Sequence, residues 1–241
     1  MPEMPRSKVR RTDSTHKEVI HRLMLRREIV RTADGSASIH LPDWDESYHS
    51  RHGAIQEACH VFIDNGLNLF DGQVAILEMG FGTGLNALIT LSQAHNRNLS
   101  VHYTGVEAYP VTREEAALLN YPDMIGHGES FRLMHQSEWD CDVQITPNFT
   151  LRKVPAKFAD VHFESGFDLV YFDAFGYRFQ PELWSESIFA AMFKVLKPGG
   201  ILVTYAARTI IRRNMEAAGF EVAKMPGPPG KREMMRARKP I

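Results

Sequence analysis

The stretch Glu78-Met79-Gly80-Phe81-Gly82-Thr83-Gly84 most constrains what this chain can fold into. It directly follows the apolar run Val74-Ala75-Ile76-Leu77 and precedes Leu85-Asn86-Ala87-Leu88-Ile89-Thr90-Leu91. This order reads as strand, glycine turn, helix. Glycines let the backbone turn sharply and approach a ligand closely. The spacing differs from the dinucleotide fingerprint, whose third glycine would fall on Leu85. A carboxylate just before the glycines repels a pyrophosphate and attracts a cation. S-adenosylmethionine carries a sulfonium and an ammonium and has no phosphate, so the loop points to that methyl donor. Taken alone, the same stretch also serves as an ordinary strand-to-helix turn.

The pattern around the loop predicts a doubly wound α/β sheet. Strands are expected at 74–79, 101–107, 149–154, 167–173, 201–205, 220–224 and 233–237. No helix separates the last two, so the final strand is expected to run antiparallel. Thr112 with Glu115 forms a capping-box pattern ahead of a helix. Residues 182–195 read as one amphipathic helix, stopped by Lys197-Pro198-Gly199-Gly200. Residues 208–218 read as another helix, whereas 121–142 show no clear period. Ahead of the sheet, 28–32 and 37–41 flank Asp34-Gly35, a hairpin signal. Ile55, Ala58, Cys59, Phe62 and Ile63 share one helical face. The expected organisation is a basic arm over 1–25, a hairpin and helix appendage over 26–70, and the main domain over 71–241.

A hydrophobic fraction of 44% and a charged fraction of 24% fit an ordinary globular protein. Two cysteines, Cys59 and Cys141, are too few for a disulfide framework and lack metal-binding spacing, so no metal is expected. No signal peptide or membrane-spanning stretch is apparent, and a cytoplasmic location is the default expectation. The net charge of −1 hides an asymmetry: residues 1–31 carry +5, residues 206–241 carry +6, and the middle holds −12. Basic ends suit an anionic partner such as nucleic acid, but also suit a solvated surface.

In such a sheet ligands bind beyond the carboxyl ends of the strands, where Glu78, Glu107 and Asp173 fall. Glu107 lies 23 residues beyond Gly84, placed to accept the hydroxyls of a ribose. Asp173-Ala174-Phe175 suits methylation of an amine. An alkylamine of pKa roughly 10 is mostly protonated at neutral pH and has no free lone pair. A carboxylate can orient the amine and accept its hydrogen bond, while an aromatic face supports the developing charge. The structural alternatives are a helix-capping Asp173 and a core-packed Phe175.

Four blocks match a known family. They are Glu78 through Asn86; Asp173-Ala174-Phe175 with Pro181-Glu182-Leu183-Trp184; Lys197-Pro198-Gly199-Gly200 with Arg212-Arg213; and Gly227-Pro228-Pro229-Gly230-Lys231-Arg232-Glu233-Met234. On these residues the chain resembles the tRNA 5-methylaminomethyl-2-thiouridine methyltransferases, namely the methyltransferase half of bifunctional MnmC and its stand-alone, MnmD-like relative. Tyr48-His49-Ser50 with His52-Gly53-Ala54 and Glu57 looks like the stand-alone form. The resemblance runs from about residue 26 to the end.

The resemblance implies a Rossmann-like class I methyltransferase with a mostly parallel seven-stranded sheet. It implies methyl transfer from S-adenosylmethionine to the amine of 5-aminomethyl-(2-thio)uridine at the wobble position of tRNA. Nothing the size of the flavin domain of bifunctional relatives is apparent in this chain. Glu78, Gly80, Phe81, Gly82, Gly84, Asn86 and Glu107 would hold the cofactor, with Asp173 touching it and positioning the amine. Tyr48, His49 and Trp184 would stack on a splayed-out base with Phe175 also meeting the substrate, and Arg208, Arg212, Arg213, Lys231 and Arg232 would hold phosphates of the anticodon stem-loop. Arg6 to Arg11 would add non-specific attraction to RNA.

Two departures stand out. Related folds often bind the adenine amine with an acid after the third strand; here Val154-Pro155-Ala156-Lys157 stands there, with Asp160 the nearest acid. Gly176-Tyr177 replaces the usual Ala-Pro after Asp-x-Phe. Two other readings stay open on sequence alone: an RNA-binding module with a decayed cofactor pocket, and a methyltransferase for small amines.

Overall fold

The computed structural model describes Lys8–Val9 and residues 26–241. Lys8–Val9 pair antiparallel with Val161–His162. The rest of the basic arm expected over 1–25 lies outside the described residues.

Three short strands, β1 (Glu28–Arg31), β2 (Ala37–Leu41) and β3 (Glu46–Ser47), form an antiparallel sheet ahead of the main fold. Gly35 takes φ 84° in the expected turn, a conformation that costs glycine little. Asp34 accepts hydrogen bonds from Ser36 N at 3.0 Å and Gln56 N at 3.1 Å. It thereby ties the turn to the first turn of helix α1 (Ala54–Ala58). That helix continues as a wider π turn over Cys59–Asp64. Arg27 fastens the appendage to the main sheet through Tyr109 O, Pro110 O and the Glu115 carboxylate.

The main sheet holds β4 (Gln73–Met79), β5 (Ser100–Val106), β6 (Asp142–Thr146), β7 (Phe149–Val154), β8 (Phe167–Phe172), β9 (Leu196–Thr204), β10 (Glu221–Pro226) and β11 (Glu233–Arg238). Their order is β10-β11-β9-β8-β4-β5-β7-β6. The central five run parallel, and β11 is antiparallel to both of its neighbours. This is the expected mostly parallel α/β sheet with one further strand. The addition, β6, pairs only with β7 at the sheet edge, and its register slips between Gln144 and Thr146. A short, bulged edge strand leaves little apolar alternation to read.

Helix α2 (Leu85–Arg97) and the short helices α3 (Arg113–Ala117), α4 (Tyr121–Ile125) and α5 (Gly128–Gln136) follow β4 and β5. The capping box at Thr112 and Glu115 forms as its pattern predicts. Helices α6 (Glu186–Val195) and α7 (Thr209–Ala217) belong to a second apolar cluster. The single helix expected over 182–195 is divided at Ser185, with a 3-10 turn at Pro181–Trp184. Central strands such as β8, Phe167-Asp168-Leu169-Val170-Tyr171-Phe172, are buried nearly throughout because helices cover parallel sheets on both faces.

The chain leaves β4 in one direction to β5 and β7, then returns to β8 on the other side of β4. The crevice between β4 and β8 is therefore the switch point of the sheet, where ligands of such folds bind.

Candidate active site

Register places the key acids together. Glu78 pairs across from Tyr171 on β8 and from Gly105 on β5. Asp173 and Glu107 follow the ends of those two strands, so all three acids meet at one edge. Gly80 takes φ 102°, and a side chain there would run into the Asp173 carbonyl oxygen. The first glycine is thus required by the closeness of β4 and β8. Phe81 is buried over Gly105, where a β-carbon would collide with its ring. Gly84 takes φ 75° at the start of α2.

Asn86, in the first turn of α2, joins two of the acids. Its Nδ2 donates to Glu78 Oε1 at 2.8 Å and to Asp173 Oδ2 at 2.9 Å. Glu78 is fully buried, and burial pushes its pKa well above the carboxylate range. The Asn86 hydrogen bond opposes that shift, and the nearby Asp173 adds to it. Asp173 is itself pushed up to about 7, by burial first; Asn86 and Lys231 pull it down and Glu57 pushes it further up. Glu78 Oε2 and Asn86 Oδ1 are buried without a hydrogen-bond partner among the described residues. The Tyr103 hydroxyl, a donor beside Glu78, is likewise buried without a partner, so the floor of the site holds two unused acceptors against one unused donor. An ammonium supplies hydrogen-bond donors to the remaining oxygens, and a sulfonium supplies positive charge near them.

Glu107 accepts hydrogen bonds from Gly82 N at 2.9 Å through Oε2 and from Tyr109 N at 2.8 Å through Oε1. Each oxygen retains a second lone pair, so these contacts orient the carboxylate while leaving room for hydroxyl donors.

Asp173 and Glu107 open into a cavity of about 570 Å3, a size suited to a small-molecule ligand, whereas Glu78 is buried behind Asn86 and does not line it. Aromatic rings form one wall. Tyr48 meets Phe175 edge-on at 5.1 Å, Phe175 meets Trp44 edge-on at 5.8 Å, and Trp44 lies parallel to Phe179 at 6.3 Å. Lys157, Phe158 and Ala159 also line the cavity, at the place where an adenine acid was sought; Asp160 does not.

Of the aromatic residues expected to meet the substrate, Tyr48, His49 and Phe175 line this cavity. The His49 ring is engaged within the protein, by Ser38 Oγ at 3.1 Å and Thr83 Oγ1 at 3.3 Å. Burial holds its pKa down at about 4, against the pull of Glu57 and Asp34, so a neutral ring stitches the appendage to the glycine loop.

Trp184 requires a correction. It is fully buried against Phe172, Phe189 and Tyr205, and offers no face to a base. Its Nε1 donates to the Phe175 carbonyl at 2.8 Å, so it shapes the Asp173-Ala174-Phe175 loop from beneath. Trp184→Phe is expected to cost about 1–3 kcal/mol, because a buried carbonyl loses its donor. Urea denaturation of the variant measures that loss.

The basic residues also divide differently from their sequence grouping. The Lys231 ammonium turns inward, pairing with the Glu57 carboxylate and sitting 3.9 Å from the Tyr205 ring centroid. It cannot also serve as a free phosphate clamp. Arg212 pairs with Glu216 along α7. Arg212, Arg213 and Arg232 are exposed and do not line the cavity.

Sequence reasoning missed Trp44, Glu46, Lys157, Gln180 and Tyr205 as lining residues. Tyr205, whose hydroxyl donates to Ala174 O at 2.8 Å, directly follows β9. That strand-end position was the available signal. Lys157 lies just after β7, at the position where related folds bind adenine, and nothing local marks Trp44, Glu46 or Gln180. Among the described residues, no cluster of His, Cys, Asp and Glu suits a metal, and no helix is long and apolar enough to cross a membrane.

Comparison with known proteins agrees with this geometry. A family model described as an S-adenosyl-L-methionine-dependent methyltransferase matches residues 132–240. The tRNA 5-methylaminomethyl-2-thiouridine biosynthesis bifunctional protein MnmC of Cupriavidus metallidurans is 32% identical over 216 residues, covering 82% of this chain and 32% of that protein. The MnmC protein of Aromatoleum aromaticum is 33% identical over 212 residues, covering 79% of this chain and 32% of that protein. The chain belongs to the MnmC methyltransferase-domain family. It spans about a third of the length of these curated relatives. The fold of this MnmC-family chain is also that of MNMC2 from Aquifex aeolicus, at TM-score 0.73 and 22% identity, covering 97% of this chain and 81% of the other.

Proposed function

We propose that this chain transfers a methyl group from S-adenosylmethionine to the primary amine of 5-aminomethyl-uridine, with or without 2-thiolation, at the wobble position of tRNA. The observation that carries this reading is Asn86 holding Glu78 and Asp173 together at the switch point, beneath an aromatic wall. The MnmC relatives, named for tRNA 5-methylaminomethyl-2-thiouridine biosynthesis, support the choice of substrate.

Glu78, Asn86, the glycine loop and Glu107 would hold the donor, and the unpaired acceptors on Glu78 and Asn86 fit its cationic groups. When bound, the donor supplies an electrophilic methyl group on sulfur. Asp173 accepts a proton from the substrate ammonium, leaving a neutral carboxyl group and a free nitrogen lone pair. The carbonyl oxygen of that carboxyl group then accepts from a remaining N–H and fixes the direction of the nitrogen. Tyr48 and Phe175 offer aromatic surface to the base and to the cation beside it. The partly exposed Lys231–Glu57 pair braces Tyr205, which in turn holds the Ala174 carbonyl next to Asp173.

Mass spectrometry of nucleosides tests this reading directly. After incubation of tRNA with the protein and S-adenosylmethionine, 5-aminomethyl-2-thiouridine is expected to gain one methyl. Methylation of free small amines that persists after tRNA is removed would point to the small-amine reading instead. No donor binding in calorimetry would favour a decayed pocket.

A further inference from the structure

The glycine loop borders a second cavity, of about 400 Å3, which shares Phe81 and Gly82 with the first but reaches neither Asp173 nor Glu107. It lies between the start of α3 and the stretch that follows α5. Lys153, on β7, lines it and is only 2% exposed. The Lys153 ammonium makes one long hydrogen bond, 3.5 Å to the His135 carbonyl, and sits 4.7 Å from the centroid of the Trp139 ring. It pairs with no carboxylate among the described residues.

A buried ammonium is normally compensated by an opposite charge. Here the nearest charged influence has the same sign. Burial first, and Arg113 second, hold the Lys153 amine down to about 8, and only Cys141 acts the other way. Arg113 lines the same cavity and spends one N–H on the Gln136 carbonyl, at 3.3 Å. Burial keeps His135 neutral, with its pKa lowered to about 4, so it adds no charge. The one acid along the wall, Glu138, is exposed. Two cations facing one hollow raise each other's cost, and an anion between them removes it. A guanidinium fork beside an ammonium suits the tetrahedral oxygens of a phosphate.

We propose that this cavity binds a phosphate-type oxyanion between the Lys153 ammonium and the Arg113 guanidinium. The phosphate belongs either to a free phosphorylated compound or to an RNA backbone.

Calorimetric titration of the full-length protein with inorganic phosphate tests the site. Wild type is expected to bind saturably, while Lys153→Met and Arg113→Gln each weaken binding tenfold or more. Arg113 is exposed, so its variant keeps the test informative if Lys153→Met fails to fold. A second arm titrates an anticodon stem-loop RNA with and without phosphate. Competition assigns the site to the RNA backbone, and saturable phosphate binding without competition assigns it to a free phosphorylated compound. Absence of saturable phosphate binding to wild type would overturn the proposal. So would equal binding by wild type and Arg113→Gln. The first result would mean that Trp139 and the His135 carbonyl satisfy the buried amine by themselves, and the second that phosphate binds away from Arg113.

Discussion

Asp173→Asn lowers kcat for amine methylation by about two to four orders of magnitude, the span usual for loss of a positioned proton acceptor. Asparagine keeps the shape of the side chain, and its carbonyl oxygen can still accept from Asn86, so the fold is retained. What disappears is a charge that can take a hydrogen from the substrate ammonium. The pH dependence follows from the same group. Burial and Glu57 push the Asp173 carboxyl up to about 7 despite Asn86 and Lys231. Below that value it is protonated and cannot accept; above it, it can. The wild-type rate therefore rises with pH through neutrality, and a bound cationic donor moves that limb to lower pH. The asparagine variant lacks the limb. Single-turnover rates measured from acid to mildly alkaline pH check both statements. A variant as fast as wild type would remove Asp173 from the mechanism.

Glu78→Gln weakens S-adenosylmethionine binding by about ten- to a hundredfold, equivalent to the loss of one charge-assisted hydrogen bond of about 1.5–3 kcal/mol. Burial favours the protonated, neutral form of Glu78 in the empty protein. Glutamine has nearly the same shape as that neutral form, so the empty variant folds normally. The charge matters when a cation arrives, because the cation favours ionisation and a proton departs. Donor affinity in wild type accordingly rises with pH. The heat of binding differs between buffers of different ionisation enthalpy, whereas the variant loses most of that difference. Stability moves with the opposite sign. A carboxyl whose folded pKa is raised binds protons more tightly folded than unfolded, so its contribution is present at low pH and fades as pH rises toward the folded value. Glu78→Gln thus gains stability relative to wild type as pH rises. Thermal melts across pH, without donor, measure that gap, and a constant gap would show that Glu78 is already ionised.

The cofactor side of the site was legible because strand, glycine turn and helix are local patterns. Glu78, Gly80, Asn86 and Glu107 all lie at or next to the carboxyl ends of β4 and β5. The substrate side was harder. Trp184 looks from sequence like an accessible aromatic, yet it packs beneath the Phe175 carbonyl. Lys231 follows a glycine-proline loop that reads as a surface clamp, yet Glu57, far away in sequence, draws it inward. Trp44 and Glu46 reach the cavity only because the hairpin appendage folds over the glycine loop, through contacts such as His49 to Thr83.

Taken by itself, the amino-acid order determined the alternation of strands and helices, the parallel sheet, and the acids at its ligand-binding edge. Those features arise from side-chain periodicity and turn chemistry within a few residues. Tertiary structure decided which charges face one another, which aromatics stay accessible, and that Asn86 bridges Glu78 and Asp173. Electrostatic and hydrogen-bond energies depend on distance and burial between segments far apart in the chain, and only packing sets those.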